Sequence, residues 1–140
     1  MDAEPVGMGR IDYRMQRRAA LREVADGLKS RADVCDAHPA LVRAGAHLGD
    51  DPGEDCPICH EPDSLRHVSY AFYRGGPRQQ GGQPVPSDKL GGLLEKHGQL
   101  RVYVVEVCPS CHWHHVLEAR TMDRPVRRGA MIANRRPLRG

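Results

Sequence analysis

The fold predicted for this chain is α+β, a three-stranded antiparallel sheet organised around a four-cysteine metal site and preceded by an N-terminal helical pair. Three observations carry the prediction: two cysteine pairs, one β-branched strand, and two short stretches of helical periodicity. The pairs are Cys56-Pro57-Ile58-Cys59 and Cys108-Pro109-Ser110-Cys111. A C-x-x-C turn aims two thiolates at one point, and two such turns supply the four soft ligands of a tetrahedral site. Proline after each first cysteine fixes its own φ and stiffens the turn, so little entropy is lost when a metal arrives.

The elements follow in chain order. Residues 1–10 read as a flexible lead-in, and residues 11–50 as the helical pair. From Asp12 to about Asp26 an apolar stripe of Tyr13, Ala20, Leu21 and Val24 recurs at helical spacings, with Asp12 as cap and Gly27 at the end. Arg14, Arg18 and Arg22 lie largely off the stripe, on a solvated face. A second helix is predicted over residues 33–48, capped by Asp33 or Asp36 and stopped by Gly49, with Pro39 in its first turn. Its buried face is Leu41, Ala44 and Leu48, interrupted by Gly45, since a mid-helix glycine costs about 1 kcal/mol relative to alanine. Both helices should pair and lean on the metal module.

Residues 51–119 form that module. An acidic turn leads into Cys56, and His67–Tyr73 reads as a strand with Val68, Tyr70 and Phe72 on one face. Residues 74–86, rich in Gly, Pro and Gln, read as a mobile loop. A short helix follows over residues 88–97, with Leu90, Leu93 and Leu94 inward and Gly98 closing it. Arg101–Val107, RVYVVEV, is the clearest strand in the chain and delivers Cys108. His114–Ala119 returns as an antiparallel partner.

Composition narrows the function classes. The chain has 140 residues, 39% of them hydrophobic, and its aromatics are Tyr13, Tyr70, Phe72, Tyr73, Tyr103 and Trp113. So modest a core is easier to stabilise with a structural metal. No run approaches the roughly 20 apolar residues of a membrane span, and MDAEPVGMGR has no apolar signal region. A cytoplasmic setting without membrane contact is therefore expected, and there paired C-x-x-C motifs read as metal ligands rather than disulfides. The net charge of +3 is unevenly spread: residues 1–50 balance to zero, 51–117 carry −2 and 118–140 carry +5. Four zinc-bound thiolates would add a further −2 to the middle segment. Residues 120–140 read as a basic disordered tail, in which Arg124, Arg127, Arg128, Arg135, Arg136 and Arg139 are the candidate nucleic-acid contacts.

The order of knuckle, strand, insertion, strand, knuckle and strand resembles the zinc-ribbon fold over residues 56–119, on CPIC, CPSC and RVYVVEV. That resemblance implies Zn²⁺ held by Cys56, Cys59, Cys108 and Cys111. The whole chain, with VCDAHPALVRAGAHLG ahead of the ribbon and VVEVCPSCHWHH closing it, is also similar to an uncharacterised family of small actinobacterial proteins. A closed site of four thiolates leaves no coordination position for water or substrate, so its contribution is to folding. The C-P-x-C spacing also resembles rubredoxin, whose iron tetrathiolate transfers electrons. A disulfide redox switch is a third reading, although no thioredoxin-like βαβ pattern is present.

The function expected is thus a non-catalytic interaction module. Zinc ribbons serve as binding surfaces in transcription and translation machinery, which is an argument by fold analogy. The arginine tail and the strand aromatics Tyr70, Tyr73, Tyr103 and Trp113 favour RNA, DNA or a ribonucleoprotein as partner. A protein-only adaptor is the alternative. An enzyme would need a pocket using Cys35 or His38, but no Gly-rich phosphate loop, nucleophile elbow or H-E-x-x-H is present. Cys35, outside both pairs, reads as a small buried apolar residue at a helix start. His38, three residues on, could join it at a second metal, but two ligands without two more are too few. His60, His112, His114 and His115 flank the knuckles and read as neighbours of the site or exposed strand residues.

Overall fold

The computed structural model describes residues 9–75 and 82–124. Its framework is a five-stranded sheet of β1 (Arg10–Asp12), β2 (Arg66–Phe72), β3 (Gln83–Val85), β4 (Gln99–Val107) and β5 (His114–Asp123). The strand order is β1-β5-β4-β2-β3, every pairing antiparallel. The expected three strands form its centre. The two additions are edge strands of three residues each, too short to carry a period of two, and short edges limit pairing with other chains. β5 extends to Asp123, so residues 120–123 belong to the sheet rather than to a tail. Residue 10 likewise lies in a strand, and residues 83–85 of the expected loop form β3.

Four helices accompany the sheet: α1 (Arg14–Ala25), α2 (Arg31–Val34), α3 (Pro39–Leu48) and α4 (Leu90–His97). The expected second helix is two. Ser30 caps α2, accepting from Asp33 N–H while the Asp33 carboxylate accepts from Ser30 N–H, a reciprocal capping box. Neither Asp33 nor Asp36 is the cap. The break spans Cys35–His38, and His38 lies outside the helix because a residue before proline is driven out of the helical region, its ψ being 142°. His38 then caps α3 itself, its Nδ1 accepting from Ala40 N–H at 3.0 Å.

The helices do not form the expected mutual pair. Successive strand residues point to opposite faces, so Glu106 and Val107 of β4 define two sides. α1 lies on the Glu106 side, where its Arg17 reaches that carboxylate. α4 covers the far end of the same side, packing Leu90, Leu93 and Leu94 against Ala71, Leu100 and Val102. α3 lies on the other side, with Ala44 and Leu41 against Val68 and Val107. A third cluster surrounds the cysteines: Cys56, Ile58, Leu65, Cys108 and Trp113, onto which Ala20, Leu21 and Val24 of α1 and Val34 of α2 pack.

Gly45 explains itself here. A Cβ at that position would lie 2.6 Å from Val107 Cγ1, so a missing side chain lets α3 approach the sheet. Among the described residues no helix is long and apolar enough to cross a membrane.

Candidate metal centre

Each knuckle is a turn closed by its own backbone. His60 N–H donates to Cys56 O at 3.0 Å and His112 N–H to Cys108 O at 2.8 Å. The residue after each pair must then turn left-handed, and both histidines do, at φ 64° and 74°. Neither side chain joins the ligand set. His114 Nε2 lies 3.0 Å from Asp36 Oδ1, and His115 Nδ1 lies 2.7 Å from Val116 O. The predicted neighbours of the site thus shape turns and pair along the strand.

Strands and turns bring Cys56, Cys59, Cys108 and Cys111 together, with all four sulfurs within 4.8 Å of one another. Cys56 and Cys108 are buried, whereas Cys59 and Cys111 are half-buried. The closest approaches run between knuckles: Cys56 to Cys111 at 3.7 Å and Cys59 to Cys108 at 3.8 Å. A tetrahedral tetrathiolate with bonds of about 2.3 Å has sulfur edges of about 3.8 Å. The donor set therefore fits one metal ion. All five cysteines are free, and these separations are far from a disulfide bond of about 2.05 Å.

Backbone and hydroxyl groups surround two of the sulfurs. Ile58 and Cys59 N–H point at Cys56 Sγ at 3.3 and 3.5 Å. Ser64 Oγ lies 3.5 Å from Cys108 Sγ. Burial is the largest influence on the three shifted thiols and pushes Cys56 up. It pushes Cys111 up as well, where proximity to Cys35 and Cys56 adds to the rise against the lowering effect of Trp113 N–H. At Cys108 burial is outweighed by the Ser64 hydroxyl and the N–H groups of Cys111 and Ser110, which bring its pKa down to about 7. Of these three, Cys108 is thus the readiest to ionise, and a bound cation deprotonates coordinating thiols outright.

Cys35 is closer to the centre than its sequence position implies. Its Sγ lies 3.5 Å from Cys111 Sγ, a fifth sulfur at the edge of the set. His38 does not accompany it, being engaged as the α3 cap.

Of the four aromatics expected to stack on bases, two are consumed by the core. Trp113 is buried and donates to Glu106 at 2.7 Å. Tyr73 stacks on His97 at 3.9 Å and donates to Gln83 at 2.8 Å. Tyr70 and Tyr103, cross-strand partners on β2 and β4, instead line an open cavity of about 890 Å³ together with Phe72, Arg101, Leu41, Val105, Val116, His114, His115 and Tyr13. Phe72 meets Tyr103 edge-on at 5.7 Å, and Arg101 lies over the Tyr103 ring at 5.4 Å. This is the sheet face that α3 leaves uncovered. Phe72 was legible as a face-sharing neighbour of Tyr70, but the contribution of Arg101 requires the β2–β4 register.

Arg124 is the one predicted phosphate contact among the described residues. It continues from β5, its N–H donating to Gly98 O and its Nη1 to Glu95 O, so it secures the end of α4. Arg127, Arg128, Arg135, Arg136 and Arg139 lie outside the described residues.

Comparison with known proteins places the chain further. A family model described as a family of unknown function (DUF5318) matches residues 7–135. The uncharacterized protein Rv0049 of Mycobacterium tuberculosis (strain ATCC 25618 / H37Rv) is 34% identical over 121 residues, which cover 84% of this chain and 85% of that protein. The uncharacterized protein Mb0050 of Mycobacterium bovis matches with the same identity and coverage. No solved structure matches the chain.

Proposed function

This chain belongs to the family of unknown function DUF5318, represented in mycobacteria, and from its geometry we propose a non-catalytic, zinc-stapled module that binds single-stranded nucleic acid, alone or within a ribonucleoprotein or transcription assembly of the cytoplasm. Zinc at Cys56, Cys59, Cys108 and Cys111 would hold the knuckles together and take no part in binding, since four thiolates leave no open position. Metal analysis of protein purified from its own cell checks the ion: zinc gives a colourless protein, and a red one would mean iron.

The observation that carries the reading is the uncovered face of Tyr70, Phe72 and Tyr103 with Arg101 among them. Bases stack on sheet aromatics and on guanidinium planes, and each stack is worth about 1–3 kcal/mol. Fluorescence anisotropy with single-stranded RNA and DNA oligomers tests it. Tyr103→Ala and Phe72→Ala should each weaken binding by roughly fivefold to a hundredfold, with metal content unchanged. Absence of binding at low salt, or undiminished binding by both variants, overturns it.

A protein-only adaptor is the second reading, favoured by the aliphatic part of the same cavity, Leu41, Val105 and Val116. The arginine-rich segment after Arg124 enters through salt. If it grips phosphate, a chain truncated after Arg124 should show a flatter decline of affinity with ionic strength.

A further inference from the structure

Apart from the four cysteines, one other group of ligating side chains converges among the described residues. His67 of β2 and Glu106 of β4 are direct cross-strand partners, so their side chains leave the same face of the sheet. Glu54, just ahead of the first knuckle, completes the group, and its carbonyl is held by Leu65 N–H at 3.3 Å. One ligand atom from each of Glu54, His67 and Glu106 lies within 4.8 Å of the other two.

Two observations set this group apart from an ordinary surface cluster. His67 Nε2 is buried with no hydrogen-bond partner, and an unsatisfied buried polar atom costs about 1–3 kcal/mol. Glu106 is only 1% exposed, a buried carboxylate near the end of the central strand β4. Arg17 Nε and Trp113 Nε1 both donate to its Oε2, at 2.8 and 2.7 Å. The two bonds orient the carboxylate and leave Oε1 outside them. Carboxylates that ligate metals are held by outer partners in this way.

We propose that Glu54, His67 and Glu106 form a second metal site, distinct in chemistry from the tetrathiolate. One imidazole and two carboxylates without sulfur suit a divalent cation that accepts nitrogen and oxygen, such as Mn²⁺, Fe²⁺ or Zn²⁺. Three protein ligands leave coordination positions open. Those positions face a cavity of about 210 Å³ that Arg14, Arg17 and Arg18 also line. The arginines favour an anion, a phosphate or carboxylate group, as the additional ligand. The site does not depend on the nucleic-acid reading, and neither fails with the other.

The test uses the full chain with its cysteine site filled by zinc. Mn²⁺, a hard cation that avoids thiolates, is titrated and its free form counted by electron paramagnetic resonance; a second equivalent of Zn²⁺ is followed by calorimetry. The expected result is saturable binding of one Mn²⁺ per chain. Glu54→Gln and His67→Gln should each weaken it at least about tenfold, the scale that even outer partners command. Glu54 is exposed, so E54Q should melt at the wild-type temperature and keep one cysteine-bound zinc. A chain that binds neither Mn²⁺ nor a second Zn²⁺, or that binds as tightly in both variants, overturns the site.

Discussion

Gly45 has no side chain because Val107 leaves no room for one. Alanine is the better helix former by about 1 kcal/mol, yet its Cβ would sit 2.6 Å from a β-branched methyl in a fully buried strand residue. Overpacking of this kind costs about 1–3 kcal/mol, so Gly45→Ala should lower the melting temperature; a higher one would mean Val107 can step aside. The cysteines divide similarly by role. Cys56→Ser or Cys108→Ser should lose the metal and unfold the knuckles, since structural zinc is worth about 10–16 kcal/mol in small domains. Cys35→Ser should retain it, because Cys35 only abuts Cys111. Acid should mimic the ligand variants. With Cys108 near 7 and Cys56 and Cys111 raised by burial, binding must displace protons from the thiols. Metal affinity therefore rises with pH and falls as pH drops through the neutral range, which a chelator competition at two pH values would read.

At the scale of elements, the capping box on α2 is the simplest device to test. Ser30→Ala removes the acceptor for Asp33 N–H and should cost about 0.5–2 kcal/mol in a denaturant melt. The neighbouring break between α2 and α3 illustrates what a sequence reading misses. Periodicity alone joins residues 33–48, while Pro39 acts on the residue before it and divides them. RVYVVEV and the C-P-x-C knuckles were legible because each carries its pattern within a few residues. β1 and β3 were not, because three-residue edge strands exist only through their partners. Glu106 falls between these cases. A lone acid in a β-branched strand is a visible anomaly, but its partners Arg17 and Trp113 come from elsewhere in the chain. Cys35 was read as core filling, and only the packing of α2 on the knuckles reveals a fifth sulfur beside Cys111.

Across the whole molecule, coverage of the sheet is uneven. α1 and α4 between them occupy one side, whereas α3 occupies only the knuckle end of the other. The aromatic face owes its openness to that imbalance, and it runs from His114 and His115 beside the knuckles to the Phe72–Arg101 pair at the end of the sheet remote from the cysteines. The sulfur contacts between the two knuckles act across this distance. Cys59 and Cys108 are separated by 49 positions in the chain, so a shared metal ties off a loop that contains all of β2, β3, α4 and β4. Closing a loop of that length removes about 4 kcal/mol of chain entropy from the unfolded state. Withdrawing the metal should then quicken hydrogen exchange at the Phe72–Arg101 end of the β2–β4 ladder, where no cysteine touches anything. A ligand held by those aromatics would be released by a chelator that never meets it.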